Sequence, residues 1–345
     1  MAEENLTISH PKSIWTFPTK TRGKVHLWLP YLKSLEKTHK GKLRYRFSFN
    51  GGEVELALPR IAVIMLYGES NALLPAYFLT DCARSGVVLL SHRRGDTNLF
   101  VCGPGLSPSA TDMLTPQVLA RENEKKRVFV ARTLIRQKFR AQEMRIPIPQ
   151  STYIALAATR STQQVREIEA TVAKRYWTAF AKQLDLIDYS RRDDDHTVNQ
   201  ALNAASVFLA GILLRWVGFH GLSAAHGYLH EPTTYTALVY DLMEPYRSWS
   251  ELAVERAYGA EGEHNLVERT IHQLQVLLGE VVTVPSHQGV VARGNLLHGI
   301  VLALRAYLNG DMARLVIPVE GPKKGGRPIK LTYDIPGLQR NRVVY

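Results

Sequence analysis

The sequence predicts an α+β protein in which a β-rich N-terminal domain, mostly antiparallel strands with one helix, precedes a larger all-α C-terminal domain. Apolar and polar residues alternate with the period of a strand over much of the first hundred residues. After a connector rich in Gly, Pro and Ser, apolar residues recur with the period of a helix. We therefore expect an N-terminal domain at 1–105 with no assignment for 1–57, a linker at 106–115, a helical domain at 116–320 and a basic tail at 321–345.

Two β-hairpins, one further strand and one helix are predicted in the N-terminal half. In RYRFSFNGGEVELAL, large apolar and charged residues alternate on both sides of Asn50-Gly51, a pair typical of a hairpin turn. RIAVIMLYG is an apolar run rich in β-branched residues, and ALLPAYFLTDCARSG predicts a helix up to Gly86. GVVLLSHRRGDTNLFV predicts a second hairpin that turns around Gly95-Asp96.

A long helix with one apolar and one basic face is predicted from Glu124 to Met144. The apolar face consists of Val128, Ala131, Ile135 and Phe139. Three arginines recur every fourth residue on another face, and we call them the basic stripe: Arg132, Arg136 and Arg140. The basic stripe suits the phosphates of a polyanion, although a solvated helix face has the same pattern.

The composition favours a polyanionic partner and a reducing compartment. The 43 Lys and Arg exceed the 31 Asp and Glu, which gives a formal net charge of +12. The only cysteines, Cys82 and Cys102, do not form a CxxC-type spacing, so we expect neither a disulfide framework nor a zinc ribbon, and we expect a cytoplasmic protein. The N-terminus lacks the pattern of a secretory signal. The apolar run from Ala204 to Phe219 contains Arg215 and is too short for a bilayer span, so it predicts a buried helix.

Several common enzyme classes are disfavoured by missing motifs. GRPIK and GPKKGG lack the strand, GxxxxGK[ST] and helix order of a nucleotide-binding loop, which argues against an NTPase. No G-x-S-x-G motif occurs, and neither cysteine has the local context of a nucleophile.

Glu169 interrupts an apolar helical stripe in STQQVREIEATVAKRYWTAF. It lies between Val165 and Ala173 at four-residue steps. Because burial of an unpaired carboxylate is costly, Glu169 needs a cation, a metal ion or several hydrogen-bond donors as a partner. A structural ion pair with Arg or Lys explains this position as well as a metal site does.

His230, Asp241 and Glu244 are polar residues in a mostly apolar stretch. A lone histidine such as His230 is more often a hydrogen-bonded core or loop residue than a ligand. Asp241 and Glu244 are three residues apart and would share one helix face, while Pro245 is expected to kink or limit that helix. A solvated or capping pair is the alternative. With Glu169, these oxygen and nitrogen ligands would suit Mg²⁺ or Mn²⁺, the ions used in phosphodiester chemistry, but spacing does not show that they meet.

Four segments in order resemble the CRISPR-associated Cas1 family, the integrase of spacer acquisition. IEATVAKRYW is similar to a family pattern IEGxxAxxYW, and DHTVNQALNAASVFL is similar to DPVNxxLNxGYxxL. GYLHE and LVYDLMEPYR are similar to GFLHE and LVLDLMEPFR. The resemblance covers roughly residues 58–320, with departures such as Ala141, Ala170 and His196 in place of the family's Asn, Gly and Pro.

The resemblance implies a function and assigns residues to it. Family members have a β-rich domain that pairs two subunits and a helical domain with a Mg²⁺ or Mn²⁺ site. They join the 3′-hydroxyl ends of a captured DNA to a CRISPR repeat by transesterification, together with a small Cas2 partner. The resemblance assigns Glu169, His230 and Glu244 as metal ligands, and leaves Asp241 as either a fourth ligand or a catalytic base behind them.

Double-stranded DNA is the expected partner, and nine residues are expected to contact it. They are Arg132, Arg136, Lys138, Arg140, Tyr176, Arg247, Lys323, Lys324 and Arg327. Contacts of this type position phosphates without reading bases, so binding should weaken steeply with salt.

Two other functions remain open on the sequence alone. A related metal-dependent nuclease or transposon integrase would use the same residues on the ends of a mobile element. In a non-catalytic DNA-binding scaffold, the acids would only tie helices together.

Overall fold

The computed structural model describes residues 24–38, 43–50, 52–92, 99–103, 112–233, 235–322 and 330–340. Within them the N-terminal half contains two sheets and one helix, α1 (Ala76–Ser85). The strands are β1 (Val25–Pro30), β2 (Ser34–Lys37), β3 (Arg44–Phe49), β4 (Gly52–Ala57), β5 (Ile61–Tyr67), β6 (Val88–His92) and β7 (Leu99–Cys102). One sheet has the order β1-β5-β6-β7 and the other the order β2-β3-β4.

Both predicted hairpins pair as expected. Strands β3 and β4 are antiparallel with Phe49 opposite Gly52, and β6 and β7 are antiparallel with His92 opposite Leu99. Gly51 and the turn at 93–98 lie outside the described residues. The predicted helix is confirmed with its end at Gly86, whose φ of 67° is the left-handed conformation that glycine adopts readily.

Strands β1 and β2 lie in the part of residues 1–57 for which the sequence predicted no element. Strand β1 pairs in parallel with β5, and β5 pairs in parallel with β6. The apolar run VHLWLP is visible in the sequence, but its partner β5 begins more than thirty residues later. A parallel pairing of this kind has no local turn signal that a sequence could show.

Nine helices follow in the described residues, and with them the α+β class is confirmed. They are α2 (Leu114–Glu122), α3 (Glu124–Gln142), α4 (Gln150–Ala158), α5 (Thr162–Gln183), α6 (Thr197–Phe219), α7 (Ala237–Met243), α8 (Arg247–Glu261), α9 (Leu266–Gly279) and α10 (Leu296–Leu308). The C-terminal half also contains a small antiparallel sheet that was not expected: β8 (Val281–Val284), β9 (Gly289–Ala292) and β10 (Gln339–Arg340).

Residues 330–340, which belong to the predicted basic tail, pack on the helical half. Tyr333 and Ile335 are buried, and Tyr333 donates a hydrogen bond to the carbonyl oxygen of Val316. Lys323, Lys324 and Arg327 lie outside the described residues.

Helix α6 joins the two halves through one apolar core. Val63 and Leu90 of the N-terminal sheet share this core with Leu209 and Ile212 of α6. Among the described helices, α6 is the one with the length and hydropathy of a membrane span, but more than half of its apolar stretch is buried inside the protein. The prediction of a buried helix is therefore confirmed.

Gly211 allows α6 to approach the sheet closely. A Cβ atom built at Gly211 would lie 2.0 Å from Leu90 Cδ1, which is itself fully buried. We expect Gly211→Val to lower the free energy of unfolding by about 2–3 kcal/mol because of overpacking. Gly218→Val is the matched control, since no atom lies within 4 Å of a Cβ at Gly218 in the same helix. Denaturant unfolding measures both, and equal stabilities of the two variants would contradict the close approach.

A buried histidine pair links the end of α6 to α10. The Nε2 atoms of His220 and His298 are 2.7 Å apart, and Trp216 stacks on His298 with a ring separation of 3.5 Å. Burial, assisted by the charge of Arg305, lowers the pKa of His220 to about 4. Burial, assisted by His220 and Arg215, lowers the pKa of His298 to about 3.

The histidine pair should make the protein sensitive to acid. Because both pKa values fall below the value of 6.5 in the unfolded chain, the pair's contribution is complete above pH 6.5 and is lost as the pH falls towards 4. When the pH falls from 7.5 to 5, we expect each histidine to lower the free energy of unfolding by on the order of 2 kcal/mol. His298→Gln should remove part of that loss in denaturant unfolding at the two pH values. An unchanged difference between the two pH values would show that other groups cause it.

Candidate active site

Helices α3 and α5, the loop before α7 and the turn after α7 bring the predicted site residues to one region. Helix α7 ends at Met243, the turn Glu244–Tyr246 contains Pro245, and α8 begins at Arg247. The prediction that Pro245 limits the helix is therefore confirmed. As a result, Asp241 near the end of α7 contacts His230, whereas Glu244 in the turn contacts Lys138 and Arg247.

Lys138 of α3 lies between Glu169 of α5 and Glu244. Its Nζ is 2.6 Å from Glu169 Oε1 and 2.8 Å from Glu244 Oε2. The partner that the sequence requires for Glu169 is therefore a lysine, and it is shared with a second acid. Only 12% of the Lys138 side chain is exposed, so this residue does not belong to an open DNA-facing surface in this structure.

Glu244 is a buried carboxylate held between two cations. Its Oε1 accepts a hydrogen bond of 2.9 Å from Arg247 Nε, whereas Oε2 is buried and accepts no hydrogen bond of normal geometry from the described residues. Burial alone would raise the pKa of Glu244, but the charges of Arg247 and Lys138, with a smaller contribution from His230, lower it to about 2. Glu244 is therefore ionised at neutral pH.

Asp241 is fully buried and fixes the loop that carries His230. Its Oδ2 accepts hydrogen bonds from the backbone N–H groups of Tyr228 and Leu229, and its Oδ1 accepts one from that of His230. The same Oδ1 lies 2.6 Å from His230 Nδ1. This geometry leaves Nε2 as the ring nitrogen for a ligand, an arrangement common behind metal-binding histidines.

The loop has little room around Asp241. A Cβ atom at Gly227 would lie 2.8 Å from Asp241 Oδ2 and 2.8 Å from the carbonyl oxygen of His230. Arg121 of α2 donates hydrogen bonds to the carbonyl oxygens of Gly227 and Glu231. The side chain of Glu231 accepts a hydrogen bond of 2.5 Å from Thr162 Oγ1. These contacts position the GYLHE segment and were not expected from the sequence.

Tyr176 is buried, so it does not reach a DNA surface in this structure. Its ring is fully covered and its hydroxyl donates a hydrogen bond to the buried Glu251 of α8. Arg145 lies over the Tyr176 ring and pairs with Glu255. Burial raises the pKa of Glu251, although Tyr176 and the nearby cations oppose this. The sequence did not point to Glu251, because nothing in the pattern of α8 indicates that this acid contacts the Tyr176 hydroxyl.

The basic stripe lies on α3, and its members have different surroundings. Arg132 Nη1 donates hydrogen bonds to the carbonyl oxygens of Ala157 and Thr159 at the end of α4. Arg140 is exposed. The pKa of Arg136 is lowered, mainly by burial and to a smaller extent by the positive charges of Arg140 and Arg132. No carboxylate in the described part of the chain forms an ion pair with any of the three arginines, so no acid neutralises the basic stripe.

Arg247, the remaining residue expected to contact DNA, is paired with Glu244. Its side chain is 31% exposed, and its contact with Glu244 is an (i, i+3) ion pair. Burial would lower the pKa of Arg247, but Glu244 raises it, which keeps the guanidinium charged.

The residue types of the site suit a divalent ion, although their side chains do not surround one common point in this structure. Among the described residues, no three His, Cys, Asp or Glu side chains form a ready-made metal cluster. Glu169 and Glu244 contact Lys138 instead, and His230 contacts Asp241. Carboxylate oxygens and an imidazole nitrogen are nevertheless ligands that suit Mg²⁺ or Mn²⁺. The ammonium of Lys138, 2.8 Å from the buried Glu244 Oε2, already places a cation between the two acids.

Comparison with known proteins shows which proteins this chain is similar to. A casposase bound to an integration product has a TM-score of 0.72 at 20% identity over 84% of this chain and 92% of that chain. A CAS1 protein from Thermotoga maritima has a TM-score of 0.67 at 15% identity over 86% of this chain and 100% of that chain.

A chain of a Cas6-RT-Cas1–Cas2 complex also has a TM-score of 0.67, at 12% identity, over 87% of this chain but 37% of that longer one. These structural similarities show the fold. No curated protein sequence matches the chain. The family model of the CRISPR associated protein Cas1 matches residues 36–257, which is more than half of the sequence and includes Glu169, His230, Asp241 and Glu244, and the chain therefore belongs to the Cas1 family.

Proposed function

We propose that the protein is a divalent-metal-dependent DNA integrase and endonuclease of CRISPR adaptation. In this function it joins the 3′-hydroxyl ends of a captured DNA to a CRISPR repeat by transesterification. The observation that carries the proposal is that Glu169 and Glu244, from distant parts of the chain, contact the same Lys138 ammonium. His230, which Asp241 orients, acts electrostatically on Glu244. Membership of the Cas1 family supports it.

Each site residue has a distinct role in this proposal. Glu169, Glu244 and His230 Nε2 would hold Mg²⁺ or Mn²⁺, which supplies Lewis-acid stabilisation of the phosphoryl oxygens. Asp241 keeps the His230 ring in one orientation by its contact with His230 Nδ1. Asp241 is a positioning residue in this proposal, because the His230 loop engages both of its carboxylate oxygens. Arg247 holds Glu244 in place and compensates its buried charge.

Double-stranded DNA is the proposed substrate and partner. Arg136 and Arg140 of the basic stripe form no ion pair with an acid in the described part of the chain and are proposed to contact phosphates. Lys323, Lys324 and Arg327 remain proposed contacts from the basic C-terminal segment. The structural similarity to a casposase bound to an integration product supports this partner. We further propose a homodimer that assembles with a small Cas2 partner, in the cytoplasm of a prokaryote, since one similar structure is a complex that contains Cas2.

A strand-transfer assay tests this function. A labelled duplex with 3′-hydroxyl ends is incubated with a repeat-bearing plasmid, the protein and a Cas2 partner, in the presence of Mg²⁺, Mn²⁺ or a chelator. We expect joined product with either metal and none with the chelator. Absence of product with both metals, for protein that is folded and binds DNA, would rule the proposal out.

A casposase-like integrase is the second candidate, favoured by the structural similarity to a casposase. It would perform the same joining reaction on the ends of a mobile element. The same assay separates the two candidates when a plasmid without a CRISPR repeat and donors with different ends are included. Dependence on the repeat indicates CRISPR adaptation, and dependence on donor-end sequence indicates the mobile element.

A further inference from the structure

We propose that Lys138 competes with the divalent ion for Glu169 and Glu244, and so sets how tightly the free protein binds that ion. This inference rests on the proposed function and deepens it. It concerns a residue that the sequence placed among DNA contacts and that the structure places between the two acids.

The contacts of Lys138 leave little space for a second cation. Its ammonium lies within 2.8 Å of one oxygen of each acid, and Glu244 is only 3% exposed. A hard divalent ion such as Mg²⁺ binds oxygens at about 2.0–2.1 Å. Both oxygens of Glu244 already contact a cation, Arg247 at Oε1 and Lys138 at Oε2. Binding of the ion to Glu244 Oε2 therefore requires the Lys138 ammonium to leave that oxygen.

The two acids that Lys138 contacts are matched by two cations without the ion. The carboxylates of Glu169 and Glu244 contribute two negative charges, and Lys138 and Arg247 contribute two positive charges. A divalent ion would add two more positive charges in a mostly buried place, where Coulomb repulsion is weakly screened. Removing the Lys138 charge should therefore favour the ion strongly.

The competition can be measured by titrating the free protein with Mn²⁺ and following the electron paramagnetic resonance signal of the unbound ion. We expect Lys138→Met to bind Mn²⁺ at least about tenfold more tightly than the original protein, since even a partly screened unit charge at this distance is worth more than that factor. Lys125→Met is the matched control, because Lys125 is an exposed lysine on the same helix. Its Mn²⁺ affinity should not change.

Thermal unfolding provides a second measurement with a double variant. Lys138→Met leaves two acids close together, so the metal-free variant should unfold at a lower temperature and regain stability with Mn²⁺. The double variant Lys138→Met with Glu169→Gln should be more stable than Lys138→Met without metal and should lose the gain from Mn²⁺.

Equal Mn²⁺ affinity in Lys138→Met and the original protein would overturn this inference, as would an equal increase in Lys125→Met. If Lys138→Met does not fold without metal, failure of Mn²⁺ to restore it would overturn the inference as well. Strand transfer by the original protein would still support the proposed function in these cases. The two proposals can therefore fail separately.

Discussion

Glu169→Gln should lower the rate of strand transfer by about a thousandfold or more, a loss of about 4 kcal/mol of transition-state stabilisation. The change removes the negative charge of one proposed ligand while keeping its shape. Because 24% of the Glu169 side chain is exposed and Lys138 retains Glu244 as a partner, we expect the fold to persist. The rate is measured in single-turnover strand transfer at saturating Mn²⁺, with circular dichroism and DNA binding measured on the same samples.

Glu167→Gln is the matched control for this experiment. Glu167 lies on the same helix two residues earlier and is exposed, and its carboxylate accepts a hydrogen bond from Gln163. We expect its strand-transfer rate to equal that of the original protein. If Glu169→Gln joined DNA as fast as Glu167→Gln, the acids would only tie helices together and the chain would be a DNA-binding scaffold.

The apolar periodicity of α5 was sufficient to predict that Glu169 needs a partner. The same period places Tyr176 on one face of α5 with Val165 and Val172, and all three are buried. The assignment of Tyr176 to a DNA contact conflicts with this periodicity, and the periodicity was the better guide. Periodicity reports which face of a helix is covered, because burial repeats with the helical turn.

The identity of the partner of Glu169 could not be predicted. Lys138 precedes the buried Phe139 on α3 and is close in sequence to Arg136 and Arg140, so it resembles one more cation of a basic helix. Which cation reaches an acid depends on how α3 and α5 pack, and that packing is set by contacts between residues far apart in the sequence. The parallel pairing of β1 with β5 escaped prediction for the same reason.

The contact between Asp241 and His230 was not visible in the sequence and is shown by the structure. The sequence placed both residues in one short stretch and left Asp241 as a ligand or a base. In the structure, three backbone N–H groups and His230 Nδ1 use both carboxylate oxygens. In this loop the chain folds back so that one carboxylate accepts hydrogen bonds from three successive N–H groups. Such a loop has no periodic pattern of residues, so the sequence carries no sign of it.

Asp241→Asn should therefore reduce both stability and activity. In the wild-type residue, Oδ2 accepts hydrogen bonds from the N–H groups of Tyr228 and Leu229, and Oδ1 contacts His230. Asparagine replaces one of these oxygens with an NH₂ group, which is itself a donor and cannot accept those hydrogen bonds. Loss of these charge-assisted hydrogen bonds at a fully buried site should cost about 3–5 kcal/mol of unfolding free energy. Loss of the fixed imidazole orientation should lower strand transfer by about 10–100-fold in the folded protein.

Denaturant unfolding measures the first effect of Asp241→Asn, and strand transfer at a temperature where the variant is folded measures the second. Asp188→Asn is the control, because Asp188 is exposed in a turn with a φ of 51°, a conformation that asparagine also adopts. It should alter neither quantity. On the proposal that Asp241 acts on the reaction only through His230, the variant His230→Ala should already lack the contribution of Asp241 to rate. A further rate loss when Asp241→Asn is added to His230→Ala would show that Asp241 contacts the ion or substrate directly.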